Sequence, residues 1–176
     1  MNPYLDELQP YPFEKLTALL DETEPSADYP PLNISIGEPK HPVAPFIQEA
    51  MANALEGISR YPSTRGEFEL RNMASTWLEK RFELPDGIID PEANIRPVNG
   101  TREALFSIAQ AVIDDKSHNT KPVVLSPNPF YQIYEGAALM AGAELVFVDA
   151  TEENRFLPDY SSLDEEILDR TQLLYL

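Results

Sequence analysis

The second half of the chain alternates two hydrophobic periodicities. Residues 94–98 are a short extended run, and 101–115 carries Leu105, Ile108 and Val112 at helical spacing, which predicts a strand and then a helix with those three inward. Residues 123–125 are an apolar run beside proline and predict a short buried strand. Residues 130–141 predict an alanine-rich helix closed by Gly142. A strand at 144–148, an acidic helix at 161–170 and the start of another strand at 171–176 follow. Such alternation predicts an α/β protein: a mainly parallel sheet with right-handed crossovers and helices on both faces. The final apolar run has no turn after it, so the chain reads as the front part of a longer protein with an incomplete sheet.

The first half is less regular. Leu5, Leu8, Phe13, Leu16, Leu19 and Leu20 form a loose helical stripe interrupted by Pro10 and Pro12, which predicts two short helices. Residues 21–31 read as an acidic, proline-rich linker. Residues 33–36 alternate as a short strand, ended by a turn at Gly37-Glu38-Pro39. A helix is predicted at 45–55, ended by Gly57. After a turn at 61–66, another begins with Thr64 and Glu67 at capping-box spacing. Leu70, Met73, Ala74, Trp77, Leu78 and Phe82 would form its buried face, and 84–94 reads as a hinge loop. The predicted organisation is an N-terminal arm and small-domain segment at 1–60, then an incomplete large domain at 61–176.

Composition narrows the function. The chain has 176 residues, 43% of them hydrophobic, enough for one ordinary core. Thirty acidic residues against 13 basic ones give a net charge of −17, which disfavours nucleic acid and anionic membranes as partners. With no cysteine, disulfides, zinc thiolates and thiol nucleophiles are excluded. No secretory signal and no stretch of transmembrane length is evident, so a cytoplasmic protein is expected.

A few residues carry candidate chemistry. Asn99-Gly100-Thr101 opens a predicted helix, whose free N–H groups and dipole could hold an anion; Asn-Gly is also a common plain turn. Tyr131 and Tyr134 could stack on a planar ligand or simply pack on the sheet. Tyr61, on a proline turn, could reach an active site or cap a core, with Arg65 beside it as an anion partner or a solvated side chain. Gly37 could admit a substrate carboxylate or be only a turn glycine. His41 and His118 have no second histidine at metal-ligand spacing, and no metal is expected. All five lysines (Lys15, Lys40, Lys80, Lys116, Lys121) lie in polar, exposed settings. No dinucleotide or P-loop glycine fingerprint is present.

Four stretches occur together in one order: Ile36-Gly37-Glu38-Pro39; Tyr61-Pro62-Ser63-Thr64-Arg65-Gly66 with Leu70-Arg71; Asn99-Gly100-Thr101-Arg102-Glu103-Ala104; and Pro129-Phe130-Tyr131-Gln132-Ile133-Tyr134. In this the chain resembles the class I/II aminotransferases of fold type I, which use pyridoxal 5'-phosphate. More narrowly, Leu8-Gln9-Pro10-Tyr11-Pro12-Phe13-Glu14-Lys15-Leu16 and Ser35-Ile36-Gly37-Glu38-Pro39-Lys40-His41-Pro42 resemble N-succinyldiaminopimelate aminotransferases of lysine biosynthesis. The resemblance implies that Gly100, Thr101 and Arg102 bind the coenzyme phosphate and that Tyr131 stacks on its ring. It implies that Tyr61 reaches the phosphate of the neighbouring subunit in a homodimer, and that Gly37 approaches the substrate carboxylate. The implied substrates are small amino acids and 2-oxo acids: N-succinyl-LL-2,6-diaminopimelate with 2-oxoglutarate.

In that family the coenzyme-bonding lysine, the aspartate facing the pyridine nitrogen and the carboxylate-binding arginine lie further along than residue 176. The parent is therefore expected to transaminate, and these residues alone to be inactive, with no catalytic residue among them. The competing expectations are another class I/II aminotransferase (aspartate, alanine or aromatic) and a non-catalytic binding module of the same fold.

Overall fold

The computed structural model describes residues 2–30, 32, 34–117 and 119–176. Two compact units divide them, one formed by 1–23 with 98–176 and the other by 24–97.

The first unit is built on three parallel strands, β1 (Val123–Asn128), β2 (Glu144–Asp149) and β3 (Thr171–Leu174), in the order β2-β1-β3. Register runs from Val123 opposite Glu144 to Asn128 opposite Asp149, while β3 pairs through Val124–Leu173 and Leu125–Leu174. Among its helices are α4 (Thr101–Val112), α5 (Ile133–Met140) and α6 (Glu165–Arg170). Parallel strands need such crossovers, because a tight turn cannot reverse the chain and keep its direction. The central strand is the most buried: Val123, Val124 and Ser126 are fully enclosed, as a strand covered on both faces requires. The core joins Val124, Ala138, Ala143 and Tyr175, with Leu105, Ile113, Tyr134, Leu145 and Leu173 packed around it.

Gly142 ends α5 as predicted. At φ +77° it lets its own N–H reach Leu139 O at 2.9 Å and that of Ala143 reach Ala138 O at 2.9 Å, a paired C-terminal cap. The two expected N-terminal helices appear as a 3-10 turn (Pro3–Glu7) and α1 (Pro12–Leu20), separated at Pro10.

Several sequence expectations are corrected. Residues 95–98 form no strand: Pro97 offers no N–H, and no described strand lies beside them to complete a ladder. Of the expected strand at 33–36, Asn33 lies outside the described residues; Ile34 and Ile36 are exposed and unladdered. The predicted helix at 161–170 splits, because Leu163 and Asp164 adopt extended backbone between a 3-10 turn at Tyr160–Ser162 and α6. On α4 the inward positions are Leu105, Ala109 and Ile113, one notch round from the prediction, and Ile108 and Val112 face out.

The second unit holds α2 (Pro45–Asn53), a 3-10 turn (Leu55–Ser59) that runs through Gly57, and α3 (Phe68–Arg81). The expected capping box is not made: Glu67 is itself the N-cap residue and makes no side-chain cap bond. The predicted buried stripe of α3 is largely exposed, with Leu70, Met73, Trp77 and Phe82 all more than half open. Arg71 and Ser75, one turn apart, are the buried residues instead. Arg71 Nη1 donates to Pro91 O at 2.6 Å, its Nη2 donates to Glu92 Oε1 at 3.3 Å, and its Nε donates to Gly66 O at 3.4 Å. Ser75 Oγ donates to Ile89 O. Unpaired carbonyls of the 84–94 loop thus outcompete apolar side chains for this face.

Candidate coenzyme site

Two short stretches of the first unit build the site. Gly100 precedes α4 with φ 155° and ψ 152°, a conformation open essentially to glycine alone. A Cβ there would also collide with Oε2 of Glu103. The geometry leaves the first amides of α4 without helical acceptors, and Glu103 sets a carboxylate at that positive end. The spot therefore already takes negative charge.

Arg102 carries the arrangement further. Its Nε donates to Tyr131 Oη at 2.8 Å, and its guanidinium carbon lies 5.8 Å from the centre of the Tyr131 ring. The guanidinium is held above its ordinary pKa, first of all by the Tyr131 hydroxyl. Among the described residues no carboxylate lies within ion-pair distance of it. A fixed cation without a counter-ion, beside a helix start, fits a phosphate.

Tyr131 and Tyr134 behave differently. Tyr134 stacks on Tyr175 inside the core, while Tyr131 stands edge-on to Tyr134 and is 40% exposed. It thus remains in contact with solvent, unlike Tyr175. Asn128, at the carboxyl end of β1, donates from Nδ2 to Asp149 Oδ1 at 2.8 Å and ties the loop before Tyr131 to the end of β2.

The structure thus brings Gly100, Thr101, Arg102 and Tyr131 together. Tyr61 and Gly37 belong to the second unit. Tyr61 is 98% exposed, and nothing crowds Gly37 within 4 Å. Arg65 pairs with Glu92 at 3.2 Å and so is engaged within its own unit. The five lysines are all exposed, as is His41; His118 lies outside the described residues. No cluster of His, Cys, Asp or Glu suited to a metal occurs among the described residues, and none of their helices is long and apolar enough to cross a membrane.

With this geometry in hand, similarity to known proteins is decisive for the class. Residues 29–176 match the family Aminotransferase class I and II, and the chain belongs to it. It is 28% identical to an LL-diaminopimelate aminotransferase of Dehalococcoides mccartyi strain 195, over 100% of this chain and 44% of that protein. A protein of the same name from Aquifex aeolicus is 30% identical over 98% of this chain and 43% of its own length. In three dimensions the chain matches an aminotransferase from Neisseria meningitidis Z2491 at a TM-score of 0.89 and 39% identity, covering 100% of this chain and 44% of that one. The chain therefore spans less than half the length of these relatives. The names carried by the two sequence relatives specify LL-diaminopimelate and not its N-succinyl derivative.

Proposed function

We propose that the parent protein is a pyridoxal-phosphate aminotransferase of diaminopimelate metabolism, working with a 2-oxo acid such as 2-oxoglutarate, and that this chain supplies its coenzyme-holding face. The observation that carries the reading is the 2.8 Å bond from Arg102 to Tyr131, which sets a cation and an exposed aromatic ring beside the free start of α4.

When bound, the coenzyme supplies an electron sink that stabilises charge beside the substrate amine. The residues here do the holding. Gly100 and Thr101 present backbone amides to the phosphate, and Arg102 neutralises it. Tyr131 fixes the plane of the ring by stacking and keeps its hydroxyl on Arg102. Tyr61 would reach the phosphate of the neighbouring subunit of a cytoplasmic homodimer, and Gly37 would lie near the substrate carboxylate. The parent's large domain would begin near residue 61, with 1–60 as arm and small-domain segment.

The experiment is a rate comparison on the full-length parent with LL-diaminopimelate, N-succinyl-LL-diaminopimelate and aspartate, each with 2-oxoglutarate. A preference for either diaminopimelate form supports the reading, and which of the two wins fixes the substrate. Faster turnover of aspartate would overturn it. The 176-residue chain by itself should not turn over, since the family resemblance puts the coenzyme-bonding lysine further along than residue 176.

A further inference from the structure

The loop that carries Tyr131 leaves β1 at Asn128 and is pinned to the end of β2 at three points. Asn128 and Asp149 are the last pair in the register of the two strands. The ladder closes just beyond them, where Ala150 N–H donates to Asn128 O at 2.8 Å. Beside this backbone bond, Asn128 Nδ2 donates to Asp149 Oδ1, also at 2.8 Å. Two residues on, the Phe130 ring lies 4.6 Å from that of Phe147, centre to centre. Phe147 and Asp149 share one face of β2, because side chains alternate along a strand and Val148 between them is buried. One stripe of that strand therefore receives both the amide of Asn128 and the ring of Phe130. Tyr131 is the next residue, and the chain from Asn128 to it can span at most about 11 Å. Its hydroxyl accepts the Arg102 Nε–H at 2.8 Å. An arginine side chain has many rotamers, so the guanidinium by itself is a poor anchor for the ring.

We propose that Asp149 is a positioning residue for Tyr131: its carboxylate holds the Asn128 amide, and through that loop it sets where the Tyr131 ring meets Arg102. The proposal rests on the reading of Tyr131 and Arg102 as the ring and phosphate holders of the coenzyme. A carboxylate only accepts, so it fixes which way round the Asn128 amide stands, with its NH2 group towards β2. The bond is charge-assisted, and such bonds are roughly twice as strong as those between neutral groups. Asp149 is not committed elsewhere: among the described residues no lysine, arginine or histidine lies within ion-pair distance of it. Tyr131 is then held from both sides along the chain. Tyr134 N–H donates to Tyr131 O at 2.9 Å on the α5 side, and the Asp149 clamp lies on the β1 side. A ring held in place beforehand loses less freedom when a flat ligand stacks on it.

The test is solvent exchange of the Arg102 Nε–H, followed by NMR in the coenzyme-free full-length parent labelled with 15N-arginine. Asn128→Asp sets two carboxylates against each other and should speed exchange roughly two- to tenfold, the equivalent of one ordinary hydrogen bond. Adding Asp149→Asn rebuilds the same bond with donor and acceptor exchanged, and should return exchange to the starting rate. Asn128→Ala, which removes the bond without adding charge, should speed exchange as the first variant does. Both side chains are exposed, so the fold should survive each change. Asn128→Asp should also weaken pyridoxamine 5'-phosphate more than inorganic phosphate, which registers the added charge but has no ring to stack. Unchanged Arg102 exchange in Asn128→Asp and Asn128→Ala would overturn the proposal and leave α5 alone holding Tyr131. Faster exchange that the double variant fails to restore would overturn it too, since a general disturbance of the loop is not mended by exchanging the two groups. If the wild-type protein binds pyridoxamine 5'-phosphate no more tightly than inorganic phosphate, it is the coenzyme reading that fails, and the exchange result still decides whether Asp149 positions Tyr131.

Discussion

Tyr134 lies flat on Tyr175, with ring centres 4.1 Å apart and planes 8° apart, and this contact determines what Tyr131 is left to do. Tyr175 is 4% exposed and donates its hydroxyl to Leu105 O at 2.6 Å, so it ties the end of β3 to α4. Tyr134 therefore belongs to the core. Tyr131, three residues earlier, meets Tyr134 edge-on at 86° and stays 40% exposed.

The same contact predicts an alkaline weakness. Burial first, and then proximity to Tyr134, pushes the Tyr175 phenol above its ordinary pKa of 10.0. Its folded form thus keeps a proton that the unfolded chain releases near pH 10. Stability from this group is complete below pH 10 and is lost as pH rises through the folded pKa. Urea midpoints measured from pH 8 to 11 should fall above 10. Tyr175→Phe should flatten that fall and cost about 1 kcal/mol at neutral pH, through the lost bond to Leu105.

Gly100 is constrained twice, by its dihedrals and by Glu103. Gly100→Ala should cost about 1–3 kcal/mol from backbone strain, with a further clash against the carboxylate. Adding Glu103→Ala should recover only the clash portion. Chemical denaturation of both single variants and the double variant checks this; full recovery in the double variant would contradict the assigned dihedral strain.

Arg71 holds three parts of the second unit together: the turn at Gly66, the loop at Pro91 and the carboxylate of Glu92. Arg71→Met should cost roughly 2–3 kcal/mol, because loop carbonyls lose a charged donor while the half-exposed Glu92 regains water. Arg71→Lys should recover little, since one ammonium cannot span all three acceptors. Hydrogen exchange at the Gly66 amide, which bonds Ser63 O at 3.0 Å, should quicken in both variants.

How far the sequence reached depends on whether a residue's partner lies nearby in the chain. The helix start at Thr101, the Gly142 stop and strands β1 to β3 were legible, because each follows from a local periodicity or a glycine signal. The face of α3 was not: Arg71 is buried by carbonyls some twenty residues later, which no helical stripe reveals. Strand pairing at 94–98 failed for a similar reason, as a strand exists only beside another. At the site, Gly100 and Tyr131 could be proposed from their positions. The bond that joins Arg102 to Tyr131 is a contact between distant segments and had to be seen.

The account stands most directly on where a phosphorylated pyridine binds. Pyridoxamine 5'-phosphate, which has no aldehyde to react with surface lysines, should be titrated into the 15N-labelled chain, with unphosphorylated pyridoxamine as control. The account predicts that the phosphate compound shifts the amides of Gly100, Thr101 and Arg102 and perturbs the Tyr131 ring, and that the control leaves those amides in place. Identical shifts from both compounds, or shifts confined to residues away from α4 and Tyr131, would contradict it.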